Sequence, residues 1–402
     1  MTKPTLFGYG LTTKAIAHTL GGGCTFYDDK TTKSYEDEAG NTIHPSKLFD
    51  PKQSHLEVTT PSLPPSHPLI QSAQHLLSEY DYFAKEMPFS IWISGTNGKT
   101  TTTQMLTHLL AHKGAVSGGN IGTPLAALDH KANIWILESS SYTLEHTKIA
   151  SPNIYLLLPI TPDHLDWHGD FDAYSQAKLS PITRMKEGEL ALIPKGLTLP
   201  KTSAYVVEYD SDAFLCEYFA LDSTKLHYKG VFLQDALLSL AMTKVLFDKT
   251  DYDLMNTFQR DAHRQEEIYD DLARLWVNDS KATNVDASIQ AIQTYSSQKI
   301  HLILGGEDKG MDLKPLFMLM QDRDILVYAI GKNSQTLESL ATLYGIQLQI
   351  SQTLAVAVEE IAKVLTQEEV ALLSPSSASF DQFTSYIHRG ESFIELVKTL
   401  KK

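Results

Sequence analysis

Lys99 stands in a run of mostly small residues, Ser94-Gly95-Thr96-Asn97-Gly98-Lys99-Thr100-Thr101, placed between an apolar strand pattern and a helical one. That arrangement suits a phosphate chain. Glycines let the backbone curl so that successive N–H groups face phosphate oxygens. The helix that follows adds positive potential, the lysine reaches the terminal phosphates, and the threonine hydroxyl serves Mg²⁺. The full G-x-x-x-x-G-K-T spacing would need glycine at position 93, which is Ile93; the run here is G-x-x-G-K-T. Without its strand–turn–helix setting it would read as a glycine turn with a surface lysine.

Other residues gain meaning beside that loop. Glu138 follows the apolar run Ile134-Trp135-Ile136-Leu137, and a carboxylate at the C-terminal end of a strand near a phosphate loop is placed to hold Mg²⁺. Thr161-Pro162-Asp163-His164-Leu165-Asp166 follows the next strand, where His164 and its neighbours suit a second metal or a phosphate; alone it is a turn with a helix cap. Lys178, within the helical stretch Tyr174 to Met185, reads by itself as a solvated lysine. Toward the C-terminus, three strand-end loops each carry a cation: Arg264 in His263–Glu266, Lys281 in Asn278–Asn284, and Lys309 in Gly305–Gly310. Anionic ligands bind at such ends of α/β sheets. Gly8-Tyr9-Gly10-Leu11-Thr12-Thr13 resembles a dinucleotide turn but has Thr13 where the third glycine belongs, so it supports a nucleotide phosphate without establishing NAD.

The elements that must position these residues form an α/β pattern, short apolar runs alternating with helical stretches. Thr5–Phe7 and Thr25–Tyr27 are predicted strands, with a helix from about Thr13 to Leu20 between them; the four prolines of Thr59–Pro68 mark a loop. A new unit starts near Pro88, with strands at Ile91–Ile93, Ile134–Leu137 and Ile154–Leu158, a turn over Gly95–Thr100 and a helix over Thr101–His112. A third starts near Asp261, with strands at Leu275–Val277, Ile300–Leu304, Ile325–Tyr328 and Val370–Leu373 and a last amphipathic helix carrying Phe393, Ile394, Val397 and Leu400. A length of 402 residues requires two or three domains. No apolar run is long enough for a membrane span, and Met1-Thr2-Lys3-Pro4 lacks the pattern of a signal peptide. Two cysteines, Cys24 and Cys216, fit a reducing cytoplasm. The formal charge of −14 argues against nucleic acid as a partner and makes each cation beside a glycine-rich turn more telling.

Together these motifs resemble the Mur ligase family along nearly the whole chain and in the family's order. The loop G-T-N-G-K-T is Gly95–Thr100, Asn-Ile-Gly is Asn120–Gly122, the glutamate–serine motif is Glu138–Ser141, and D-H-L-D is Asp163–Asp166. Lys178 falls where the family carries a carbamylated lysine. Leu373-Ser374-Pro375-Ser376-Ser377-Ala378-Ser379-Phe380-Asp381-Gln382-Phe383, ending in Arg389-Gly390, is similar to the D-glutamate-adding branch. Three departures stand out. Pro159 replaces an asparagine ahead of D-H-L-D, Val231-Phe232-Leu233-Gln234-Asp235-Ala236 replaces an H-N-x-x-N segment that packs on adenine, and the late aromatic is Tyr386.

The resemblance implies three domains: a Rossmann-like domain over 1–87, a central P-loop ATPase over 88–260, and a Rossmann-like domain over 261–402 that closes over the nucleotide. It implies an ATP-dependent ligase joining D-glutamate to UDP-N-acetylmuramoyl-L-alanine through an acyl phosphate, working as a cytoplasmic monomer. ATP would be held by Gly95, Thr96, Asn97, Gly98, Lys99, Thr100 and Thr101, with Arg264, Asn278, Asp279 and Lys281. One or two Mg²⁺ ions would sit on Thr100, Glu138, His164 and a carbamylated Lys178. The UDP-linked substrate falls to Leu11, Thr12, Asp29, Lys30, Asn120 and Ser140, and D-glutamate to Thr283, Lys309, Ser379, Phe380 and Tyr386. Within the ligases, a sister Mur ligase or a folylpolyglutamate synthase-like enzyme is the alternative. A P-loop switch such as a GTPase leaves the third unit's cations unused and lacks N-K-x-D, and an NAD-dependent dehydrogenase leaves the P-loop unexplained.

Overall fold

The computed structural model describes residues 3–307 and 310–400. It forms two compact units, one of residues 1–228 with 232–258 and the other of 229–231 with 259–402.

The first unit holds two six-stranded sheets. In the first lie β1 (Thr5–Phe7), β2 (Thr25–Asp28), β3 (Tyr35–Glu36), β4 (Thr42–Pro45), β5 (Glu57–Thr59) and β6 (Leu76–Leu77), in the order β3-β4-β2-β1-β5-β6. All its pairings are parallel except β3 against β4. In the second lie β7 (Phe89–Ser94), β8 (Ala115–Gly119), β9 (Ile134–Glu138), β10 (Ile154–Leu157), β11 (Leu190–Pro194) and β12 (Tyr205–Tyr209), all parallel in the order β12-β11-β10-β7-β9-β8. The chain leaves β7 toward β8 and β9 on one side, then crosses to β10 on the other. A crevice therefore opens beyond the carboxyl end of β7, at the switch point where α/β sheets bind ligands.

Strand β7 shows why this sheet lies inside the unit. Ile91 and Ile93 enter one apolar cluster with Met105, Leu106 and Leu237, while Trp92 between them enters another with Trp135 and Tyr155. A strand buried on both faces reads as a continuous apolar run. The second cluster also takes in Leu6, Phe26 and Val58, so the two sheets share a core.

The second unit has β13 (Glu266–Tyr269), β14 (Leu275–Asn278), β15 (Ile300–Gly305), β16 (Ile325–Ile330), β17 (Gln347–Gln352) and β18 (Val370–Leu373), in the order β13-β14-β18-β15-β16-β17. Only β13 is antiparallel to its neighbour. The mixed α/β class and the three-sheet arrangement agree with the sequence reading.

Several boundaries differ. The helix expected from Thr101 runs Lys99–Leu110, because Gly98 takes the left-handed turn (φ +81°) and frees Lys99 and Thr100 for the first helical turn. The first helix is Leu11–Thr19. The helix bearing Lys178 ends at Leu179, and Ser180–Arg184 tightens into a 3-10 turn containing Pro181, which has no N–H for an α-helical bond. Strands β4, β5, β8, β11, β12 and β17 were not anticipated; in the edge strands β12 and β17, half-exposed positions dilute the apolar signal.

The short helix Glu79–Tyr82 is bound closely to the second sheet's connections. The buried Asp81 carboxylate accepts hydrogen bonds from the backbone N–H groups of Lys148, Ile149 and Ala150, each at 2.8 Å. Asp81→Ala leaves three backbone donors without their acceptor, of which only that of Ala150 is buried, and is expected to cost about 1–3 kcal/mol, measured as a lower urea midpoint.

Candidate active site

At the C-terminal end of β7 the chain turns over Gly95–Gly98 into the helix Lys99–Leu110. A Cβ on Gly98 would lie 2.9 Å from Asp235 Oδ1 and 3.0 Å from Leu158 Cδ1, so only glycine fits there. The loop is pinned from outside. Thr96 N donates to Pro159 O at 3.0 Å, so the proline that departs from the family pattern supplies a backbone anchor. Thr96 Oγ1 donates to Thr161 O (3.0 Å), accepts from Thr161 N (2.9 Å), and lies 3.0 Å from the Tyr174 hydroxyl. The Lys99 amine folds back on the carbonyls of Gly95 (2.9 Å) and Thr96 (2.7 Å). Thr100 is half-buried in the first helical turn, and Thr101 is buried.

Lys178 is 1% exposed. Its Nζ donates to Gly95 O at 2.8 Å and to Ser94 Oγ at 3.4 Å, and lies 4.7 Å from the Tyr174 ring centre. Burial, reinforced by the nearby Lys99 charge, holds its amine well below the ordinary lysine range, while Asp163 and Glu138 oppose that shift. The expectation of a solvated helix face for this residue in isolation is thus overturned. Tyr174, one helical turn earlier, reaches the same loop, a pairing legible only after the i, i+4 spacing is set against a known target.

Glu138 ends β9, 2% exposed. Oε1 accepts from Asn120 Nδ2 at 2.6 Å, whereas Oε2 is buried without a hydrogen-bond partner. A carboxylate oxygen left this way is costly unless a cation meets it, so the donor set fits Mg²⁺. Among the described residues no three His, Cys, Asp or Glu side chains form a metal cage. Mg²⁺ commonly takes one or two carboxylates and completes its shell with phosphate oxygens and water.

His164 adopts a left-handed backbone (φ +54°) at the start of the short helix Leu165–His168, a strained conformation for a residue with a Cβ. Its ring lies 4.8 Å from that of Tyr142. Burial lowers its pKa, with Lys99 and Lys178 adding to the shift against Asp163. His168 donates to or accepts from Ser141 Oγ at 3.0 Å, and burial followed by the His164 charge pushes it down to about 4. Ser140 caps the helix Ser141–His146, accepting from Thr143 N at 3.1 Å.

One buried group here was missed. Asp235 lies in the helix Val231–Phe247, whose other inward residues are almost all apolar, and accepts from Thr102 Oγ1 at 2.9 Å beside Gly98. A lone carboxylate in an apolar helix was the available signal.

In the first sheet, a cleft of about 840 Å³ is lined by Gly8, Tyr9, Gly10, Asp29, Lys30 and Tyr35, among others. Asp28 accepts from Tyr9 N (2.8 Å) and Lys30 N (2.9 Å). Asp29 meets His67 Nε2 at 2.9 Å; the Ser46 hydroxyl and then His67 hold its carboxyl below the usual range, against burial. Leu11, 66% exposed, and Thr12 begin the adjoining helix and are not part of the lining.

In the second unit, loops after β14, β15, β16 and β18 knit together. Gly305 N donates to Pro375 O (2.9 Å), Gly306 N to Asn333 Oδ1 (3.0 Å), and Asp279 N to Leu373 O (2.8 Å). Asn278 Nδ2 contacts His263 Nδ1 (2.8 Å) and Glu266 Oε2 (3.2 Å). Lys281 Nζ lies 4.1 Å over the Tyr386 ring, bringing together residues expected to serve different ligands. Arg264 Nε is 3.9 Å from Asp261. Thr283 is half-buried just ahead of the helix Val285–Thr294, Ser379 is buried, and Phe380 is 64% exposed. Lys309 lies outside the described residues.

Asp279 is buried. Burial raises its carboxyl to about 7, against the Ser374 hydroxyl and the Gln265 N–H. A carboxyl raised in the folded state favours folding at low pH, and that contribution is lost as pH rises through about 7. Asp279→Asn is therefore expected to gain melting temperature relative to the wild type between pH 5 and pH 8, measured without nucleotide.

The Mur ligase middle domain description matches residues 93–214, spanning the phosphate loop, Glu138, His164 and Lys178. A UDP-N-acetylmuramoylalanine–D-glutamate ligase of Campylobacter jejuni subsp. jejuni serotype O:6 is 48% identical over 99% of this chain and 100% of its own length. One of Helicobacter pylori strain HPAG1 is 43% identical over 97% and 98%. Among solved structures, the fold resembles the MurF ligase of Thermotoga maritima in complex with ADP, with TM-score 0.58 and 17% identity over 86% of this chain and 88% of that one. It also resembles the UDP-N-acetylmuramate–alanine ligase MurC of the same organism, with TM-score 0.55 and 18% identity over 98% and 99%. Full-length likeness at these identities, on a sheet whose switch point gathers Lys99, Glu138, His164 and Lys178, places the chain in the Mur ligase family, with the UDP-N-acetylmuramoylalanine–D-glutamate ligases.

Proposed function

We propose that the chain is an ATP-dependent ligase that adds D-glutamate to UDP-N-acetylmuramoyl-L-alanine in peptidoglycan precursor synthesis, acting in the cytoplasm. The observation that carries this reading is the grouping of a pinned phosphate loop with a buried carboxylate oxygen that lacks a partner, Glu138 Oε2, in a chain with full-length relatives of that name.

The N–H groups of Gly95–Thr100 and the Lys99 amine would hold the β- and γ-phosphates once Lys99 leaves the Gly95 and Thr96 carbonyls. Thr100, Glu138 Oε2, His164 and a carbamylated Lys178 would hold Mg²⁺. Bound there, Mg²⁺ neutralises phosphate charge and makes the γ-phosphorus more electrophilic. The L-alanyl carboxylate attacks that phosphorus and releases ADP, giving an acyl phosphate. The amine of D-glutamate then attacks the acyl carbon, phosphate leaves, and the amine gives up a proton.

Lys178 suits carbamylation because its lowered pKa favours the neutral amine, whose lone pair can bond the carbon of CO₂ with release of one proton. The carbamate keeps one N–H, enough to preserve the bond to Gly95 O. The cleft over Asp29 and Lys30 is the proposed seat of the UDP-linked substrate, with Leu11, Thr12, Asn120 and Ser140 as further contacts. Residues 1–87, 88–260 and 261–402 are proposed as precursor, ATP and amino-acid domains. Arg264, Asn278, Asp279 and Lys281 are proposed nucleotide contacts, and Thr283, Lys309, Ser379, Phe380 and Tyr386 D-glutamate contacts.

Phosphate release from MgATP is expected only when UDP-N-acetylmuramoyl-L-alanine and D-glutamate are both present, with L-glutamate inactive. Release that ignores both substrates would sink the proposal. Lys99→Ala is expected to lower kcat/KM by roughly 10² or more with an unchanged melting temperature. ¹³C-bicarbonate should give a carbamate carbon resonance that Lys178→Arg lacks.

A further inference from the structure

Tyr80 is 1% exposed and sits on the short helix Glu79–Tyr82, which is held on several sides. Ser78 Oγ lies 2.9 Å from Thr147 Oγ1, Ala126 N donates to Glu79 Oε1 at 3.4 Å, and Asp81 gathers the three N–H groups of Lys148–Ala150. So fixed, the helix directs Tyr80 inward. Its ring packs on Trp92 of β7, with centres 4.7 Å apart. Its hydroxyl donates to Glu138 O at 3.2 Å and lies 3.2 Å from Ser139 Oγ.

That hydroxyl completes a clamp on one stretch of backbone. Glu138 O also accepts from Asn120 N at 2.8 Å, Ser139 N donates to Ile93 O at 2.8 Å, and Ser94 Oγ donates to Ser139 O at 2.8 Å. A Cβ on Gly119 would lie 2.5 Å from Glu138 O and 2.7 Å from the Tyr80 hydroxyl, so the clamp needs glycine beside it. The backbone of Glu138 is held on every side, its Oε1 is held by Asn120, and Oε2 is left over.

We propose that Tyr80 is a positioning residue for Glu138: its hydroxyl fixes the backbone at the end of β9 so that Oε2 stays available to the cation. This rests on the reading of Glu138 as a Mg²⁺ ligand. A tyrosine serving only to fill the core against Trp92 would use its ring alone, and phenylalanine would replace it without effect on the metal.

The test is Tyr80→Phe in the full chain, with Mn²⁺ as the probe in the presence of ADP, titrated by electron paramagnetic resonance. Glu79→Gln is the control on the same helix and Glu138→Gln the reference for the site. Tyr80→Phe is expected to weaken Mn²⁺ binding about three- to tenfold, the effect of one lost hydrogen bond. The Mg²⁺ concentration for half-maximal phosphate release should rise by the same factor, with kcat at saturating Mg²⁺ kept within about twofold. Glu79→Gln should leave Mn²⁺ binding unchanged. Unaltered Mn²⁺ affinity in Tyr80→Phe, even with a lower melting temperature, would overturn the proposal, as would equal weakening in Glu79→Gln. If Glu138→Gln itself leaves Mn²⁺ binding intact, the metal reading of Glu138 fails, and the role of Tyr80 with it.

Discussion

Two lysine amines converge on one carbonyl oxygen, that of Gly95, from opposite ends of the chemistry: Lys99 at 2.9 Å and Lys178 at 2.8 Å. Two ammonium groups so close, one of them buried, repel each other strongly in a medium of low dielectric. The arrangement is tolerable when Lys178 gives up its proton, which burial and the Lys99 charge both favour. The same contact anchors the helix Phe171–Leu179 to the phosphate loop, with Tyr174 as a second anchor one turn back. The loop's shape and the setting of the Lys178 amine thus meet at one crowded carbonyl.

The parallel sheet makes that crowding possible. Because β9 and β10 flank β7 on opposite sides, three strand ends deliver the Gly95 loop, Glu138 and the Pro159–His164 segment to one crevice. Each arrives on a rigid element and each is tied to the next: Thr96 to Pro159 and Thr161, Ser94 to Ser139, Asn120 to Glu138. Against these ties, a carboxylate oxygen at the end of β9 that is buried without a hydrogen bond, Glu138 Oε2, is informative. The second unit repeats the device, with loops from four parallel strands gathered around the buried Asp279 and Arg389.

The stretch Val231–Ala236, one of the departures from the family pattern, still carries a polar anchor. Where asparagines are expected, Asp235 stands in an apolar helix and receives Thr102 beneath Gly98. Pro159, in place of another asparagine, uses its carbonyl on Thr96. Backbone groups and a displaced carboxylate hold the loop where side-chain amides would be looked for.

The α/β class, strands β7, β9 and β10 and the phosphate loop were legible from residue order alone, because glycine spacing, apolar strands buried on both faces and a lysine at a helix start are local properties. Family motifs marked Glu138, His164 and Lys178 for the same reason. Edge strands β12 and β17 escaped notice because half-exposed strands carry a weak apolar rhythm. Tertiary structure alone decided that Lys178 is buried and not solvated, that Asn120 turns its amide to Glu138, and that Asp235 and Tyr80 reach the site from 133 residues beyond Thr102 and 58 residues before Glu138. Desolvation and hydrogen-bond partners arise from segments distant in sequence, and no spacing rule encodes which of them will meet.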